Sequence, residues 1–182
     1  MFNGAFQEGA TQVGNLPEDH PVAFALFVGW LYKGVIEGPN ADEGIYLNNR
    51  IQLFGFAEKY DIVELADMTM DHIVGHTKFA HQLLAWQQMS LAYKLTHENS
   101  KLRLFAARSA SFAVLKHPSH SSNHAWCKAN IQRAITENPD LGGDALETMR
   151  LQSGKPVADP RESPLCDYHQ HSETETCPYE NQ

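Results

Sequence analysis

Apolar residues in this chain recur mostly at helical spacing. In Pro21-Val22-Ala23-Phe24-Ala25-Leu26-Phe27-Val28-Gly29-Trp30-Leu31-Tyr32-Lys33-Gly34, the residues Phe24, Phe27, Val28 and Leu31 fall at i, i+3, i+4 and i+7. That spacing predicts an amphipathic helix over about 21–33, with these four inward. Pro21 suits its first position and Gly34 its left-handed stop. A second helix is predicted from Tyr46 or Leu47 to Tyr60, with Leu47, Ile51, Phe54 and Leu53 inward and Asp61 as breaker. A third runs from Val63 to about His76, where Val63, Ala66, Met70, Ile73 and Val74 share a face. Phe79 to Leu95 reads as a fourth, with Leu83, Leu84, Gln87, Leu91 and Leu95 on one side.

Asn99-Ser100 can cap a fifth helix to Leu115, aligning Leu102, Phe105, Ala106, Ser109 and Phe112. His124 to Thr136 forms a sixth. Asn138 as N-cap and Pro139 as first residue open a seventh that ends at Leu151, and Gly142-Gly143 reads as an irregularity or early stop in it. Strand signals are confined to Ala10–Leu16 and Val35-Ile36. The segments 14–19, 37–44 and 118–123 are turn-rich. From Ser153 the chain is polar and punctuated by Pro156, Pro160, Pro164 and Pro178, which predicts an irregular tail.

The wording of several segments adds a family to this pattern. Asp19-His20-Pro21-Val22-Ala23-Phe24, then Phe27-Val28-Gly29-Trp30-Leu31-Tyr32 and Gly34, resembles the "DDPEAF…F…WLYTG" stretch of fungal BTB/POZ domains. Leu53 to Leu65, reading LFGFAEKYDIVEL, is similar to that family's "LADKYDIPEL" segment, and Phe6-Gln7-Glu8-Gly9 resembles the end of the helix before its third strand. The resemblance covers about residues 2–76. It implies the C-terminal part of a BTB/POZ domain at 1–76, a helical extension at 77–152 and a Pro-rich tail at 153–182. The strands and helices that open such a domain have no counterpart here, so the fold expected is mainly α with one or two short strands at most.

The resemblance implies protein–protein association: self-association and, in some members, recruitment to a cullin-type ubiquitin ligase. In such adaptors a hydrophobic-x-acidic motif after the WLYTG helix contacts the cullin. Val35-Ile36-Glu37 and Ala41-Asp42-Glu43 fit that pattern, which makes Val35, Ile36, Glu37, Asp42, Glu43 and Tyr46 candidate partner-contacting residues.

Composition narrows the classes. The 182 residues carry a formal net charge of −8, which argues against nucleic-acid or anionic-membrane binding. No apolar run approaches the ~20 residues of a membrane span. The first residues lack the basic, apolar pattern of a signal peptide. Three cysteines, Cys127, Cys166 and Cys177, are too few for a disulfide framework and fit a reducing, intracellular setting, cytoplasmic or nuclear.

One group stands out chemically. Cys166, His169, His171 and Cys177 have the spacing C-x2-H-x-H-x5-C. Thiolate sulfur and imidazole nitrogen are the donors zinc prefers, and four complete a tetrahedral structural site. The competing reading is a solvated tail in which these residues are incidental. His117, His120 and His124 read as a solvated loop. His72 and His76 read as a surface helix edge without an H-E-x-x-H pattern, and Cys127 as a small core residue. No P-loop, G-x-S-x-G or G-x-G-x-x-G occurs, so no enzyme activity and no other cofactor is expected. Three functions therefore stand open: an interaction module, a small metal-binding protein, and an incomplete gene product.

Overall fold

The computed structural model describes residues 18–38, 43–116, 126–171 and 176–179. Among them lie seven α-helices and no strand: α1 (Pro21–Lys33), α2 (Glu43–Lys59), α3 (Val63–Phe79), α4 (Trp86–Leu95), α5 (Lys101–Lys116), α6 (Lys128–Glu137) and α7 (Pro139–Leu151). Two single 3₁₀ turns follow, Pro160–Glu162 and Leu165–Tyr168. The fold is mainly α, as the periodicity predicts. Val35-Ile36 is irregular rather than extended into a strand, and Ala10–Leu16 lies outside the described residues.

The core is built around α2 and α3, with α4 and α5 closing it. Leu47, Ile51, Leu53, Phe54 and Ala57 of α2 meet Leu65, Ala66, Met70, Ile73 and Val74 of α3, all buried. Gly55 sits where α2 crosses the end of α4. A Cβ there would lie 2.9 Å from Leu95 Cβ, so this approach requires glycine. Buried hydroxyls bond back to their own helices. Thr69 Oγ1 donates to the Leu65 carbonyl at 2.6 Å and Thr96 Oγ1 to that of Ala92 at 2.7 Å.

Gly34 closes α1 as expected, at φ 71°, its N–H donating to the Trp30 carbonyl at 2.7 Å. The buried face of α1 differs from the expected stripe. Ala23 and Leu26 are buried, with Phe27 and Trp30 packed against the core, whereas Phe24 is 40% and Leu31 60% exposed. The helix is turned by one position: Leu26 enters the core, Trp30 Nε1 donates to Met68 Sδ of α3 at 3.3 Å, and Phe27 packs tilted against Phe56 of α2 at 5.1 Å between ring centres. Val63, expected inward, is exposed at the start of α3.

The fourth helix begins seven residues later than expected, at Trp86 rather than Phe79. α3 runs on to Phe79, and His81 at φ 52° then reverses the chain, with the Gln82 N–H returning to the Thr77 carbonyl at 3.0 Å. The Gln88 side chain accepts from the Ala85 N–H at 2.8 Å and holds the new start. The rotated α4 buries Gln88, Met89, Ser90, Ala92 and Tyr93 and leaves Gln87 and Leu95 exposed.

Ser100 caps α5, its Oγ accepting from the Leu102 N–H at 3.2 Å. The sixth helix starts at Lys128 rather than His124. Asn138 stands before α7 but does not cap it with its side chain; Nδ2 donates instead to Ser90 Oγ at 2.7 Å. Gly142-Gly143 does not interrupt α7. Gly142 lets α6 approach, for a Cβ there would meet Ile135 Cγ2 at 2.9 Å.

Candidate metal centre

The segment after α7 is not regular, yet it is packed. Its two 3₁₀ turns lie against α3 and α5. Tyr168 is fully buried, its ring edge-on to Phe105 at 5.1 Å and its hydroxyl donating to the Pro160 carbonyl at 2.9 Å. Arg108 binds the Asp167 carboxylate at 2.8 Å, and Lys101 reaches the Asp167 carbonyl at 3.3 Å. These contacts put Cys166 and the residues after Tyr168 at a set place on α3.

There the four residues singled out by spacing converge. The candidate donor atoms of Cys166, His169, His171 and Cys177 all lie within 4.8 Å of one another. His169 and Cys177 are buried, Cys166 and His171 half-buried. Cys177 Sγ is 3.5 Å from His169 Nδ1. A tetrahedral site with zinc–sulfur and zinc–nitrogen bonds of ordinary length places its donors roughly 3.3–3.8 Å apart. Contraction of about 1 Å brings the set to that geometry, and the donor chemistry, two thiolates and two imidazoles, is that of a closed structural zinc site. Two thiolates also balance the charge of a divalent ion.

The surroundings favour the same reading. His169 Nε2 lies 2.8 Å from a carboxylate oxygen of Asp71 on α3. With Nε2–H given to Asp71, Nδ1 is the basic nitrogen and faces the Cys177 sulfur, the carboxylate–histidine arrangement that orients a metal ligand. One turn earlier on α3, Asp67 is buried and accepts the Gln170 N–H at 2.8 Å, which holds the backbone between the two histidines. Rings pack around the group: His169 lies edge-on to His171 at 5.6 Å and to Tyr179 at 5.2 Å.

Electrostatics follow from this packing. Burial works against a charged His169, but its hydrogen bonds to Asp71 and Cys177 outweigh it and raise its pKa to about 8. Burial likewise opposes ionisation of Cys177. The Tyr179 backbone and the Cys166, His169 and His171 side chains outweigh it and lower the thiol to about 7. Burial raises Asp67, against the pull of Gln170 and His169.

An open cavity of about 400 Å³ borders the group, lined by Met68, Asp71, His72, Leu165, Cys166, His169, Cys177 and Tyr179.

The other candidates fall elsewhere. Of the residues proposed to meet a partner, Val35 is 47% exposed and Glu37 is exposed and paired with Lys33, while Ile36 is buried. Tyr46 is half-buried, its hydroxyl 3.1 Å from His72 Nδ1, its ring stacked on His76 at 4.5 Å and under Arg50 at 4.5 Å. Asp42 lies outside the described residues, as do His117, His120 and His124, and only the backbone of Glu43 is described. His72 and His76 are therefore packing partners of Tyr46, not a free helix edge. Burial and the nearby Arg50 lower the pKa of His72, and Asp71 opposes them. Cys127 stands half-buried at the start of α6 rather than in a core.

Asp67 and Asp71 were missed in the sequence. Their signal is two carboxylates one turn apart on α3, the first of them inside its apolar face. Comparison with known protein families, with curated proteins and with solved structures found no match. Among the described residues, no helix is long and apolar enough to cross a membrane.

Proposed function

We propose that this chain is a helical protein whose C-terminal segment is fastened by one structural zinc ion held by Cys166, His169, His171 and Cys177. The observation that carries the reading is the convergence of the four donors beside a carboxylate that orients one of them. Four protein donors leave no open position for substrate, so the metal's role is to hold structure and the reading is non-catalytic. Purified protein should carry about one zinc per chain, as a closed four-donor site requires, and Cys166→Ser should lack it. A reduced preparation that takes up no zinc at micromolar concentration refutes the reading.

A second observation favours protein association, in keeping with the BTB/POZ resemblance. Phe24, Leu31, Tyr32 and Val35, on and just after α1, are 40%, 60%, 84% and 47% exposed. An apolar surface of this kind marks interaction sites. In this reading the zinc-fastened body presents α1 to a second copy or to a cullin-type scaffold, with Val35 and Glu37 at the edge of the contact. Sedimentation with and without a recombinant cullin N-terminal region separates the two partners, and a monomer that ignores the cullin at tens of micromolar excludes both.

A further inference from the structure

We infer that Cys166 and Cys177 form an oxidisable pair that takes a hydroperoxide and exchanges the bound metal for a disulfide. The inference rests on the zinc reading above and concerns how that site is regulated.

Three observations carry it. The two sulfurs belong to one cluster whose donor atoms lie within 4.8 Å, so the partners of a bridge are already gathered at one place. Cys166 is half-buried and Cys177 buried, so Cys166 is the more accessible of the two. Both line the open cavity of about 400 Å³ beside α3, large enough to admit a peroxide to the sulfurs. An accessible thiolate poised next to a second one is the arrangement of a redox-sensing cysteine pair.

The chemistry balances with hydrogen peroxide as sole oxidant. The Cys166 thiolate attacks one peroxide oxygen, forming S–O as O–O breaks, and the second oxygen leaves as hydroxide. The Cys177 thiolate then attacks the sulfenic sulfur, forming S–S as S–O breaks, and a second hydroxide leaves. Two electrons pass from the sulfurs to the peroxide, and two protons convert the hydroxides to water. His169 and His171 alone do not retain zinc, and the ion is released. Tyr168 and Asp167 keep their own contacts to α5, so the effect centres on the segment after His169 and on its seat at Asp67 and Asp71.

The test uses the full chain carrying Cys127→Ser, which leaves only the pair. Zinc is quantified first, and hydrogen peroxide is then added with a chromogenic zinc chelator present. Expected are loss of the one zinc per chain, a Cys166–Cys177 bridge on peptide mapping, and recovery with dithiothreitol and zinc. Cys166→Ser and Cys177→Ser should each abolish the bridge. Zinc retained under peroxide overturns the inference, as does oxidation of Cys166 to sulfinic acid without a bridge. A preparation that never holds zinc refutes the metal reading, and the same mapping on it decides the pair: a bridge keeps the oxidisable dithiol, its absence removes it.

Discussion

His169 and Asp71, 98 residues apart, meet at 2.8 Å, and the contact selects which imidazole nitrogen faces the Cys177 sulfur. Asp71→Asn keeps an acceptor but removes the charge that raises ligand basicity. Metal affinity is expected to fall about 10–100-fold, the usual effect of losing such an outer carboxylate. Competition with a chelator of known affinity measures it. Equal affinity in Asp71→Asn would show that the carboxylate does not tune the site.

Tyr168 is the anchor that brings the candidate ligands to α3, and its two contributions are separable. Tyr168→Phe keeps the ring on Phe105 and loses the bond to the Pro160 carbonyl, at a cost of about 0.5–1.5 kcal/mol. Tyr168→Ala removes a fully buried ring and costs about 3–5 kcal/mol. Urea titration of both variants gives the order, and equal losses would deny the ring its role.

The crossing of α2 and α4 gives a test of packing alone. Gly55→Ala puts a methyl 2.9 Å from Leu95 Cβ, where backbone must move, and is expected to destabilise by about 1–3 kcal/mol. A variant as stable as the parent in urea would mean the two helices separate without cost.

Acid stability has a specific contributor at the start of α1. The Asp19 side chain is 6% exposed, with Lys59 Nζ at 3.0 Å and Tyr60 Oη at 2.7 Å. Burial raises its pKa, but the Tyr60 and Lys59 hydrogen bonds win and hold it below the ordinary carboxylate value. A depressed folded pKa means the group stabilises the fold above its unfolded value and loses that contribution as pH falls through the folded one. Asp19→Asn should therefore flatten the stability–pH curve below about pH 4. An unchanged acid limb in thermal melts would contradict this.

Association through α1 predicts a surface phenotype. Leu31→Glu and Tyr32→Glu place charge on exposed positions and should leave melting little changed while abolishing self-association. Ultracentrifugation reads this directly. Self-association that survives both substitutions would place the contact elsewhere.

Much of the architecture was legible in the chain because helical periodicity and end signals are local. The interior of α2 and most of the buried face of α3 follow from apolar spacing alone, and Gly34 stops α1 where a residue free to adopt positive φ is needed. The four candidate ligands were legible for a similar reason: short gaps between soft donors let one stretch of chain bring them together.

The helical class, most helix ends and the identity of the candidate donors thus follow from local spacing. Distant contacts set the rotation of α1, which brings Leu26 into the core and Trp30 to Met68, and the late start of α4, which turns on the reversal at His81. Tertiary structure also decided that a proline-rich tail becomes a packed element, because Tyr168 finds Phe105 and the Pro160 carbonyl. Asp67 and Asp71 acquire their roles in the same way. On α3 alone they are two carboxylates one turn apart; the packed tail turns one into the partner of His169 and the other into the acceptor of Gln170. Such contacts join residues about a hundred positions apart, and nothing in local spacing encodes which distant surface a segment will cover.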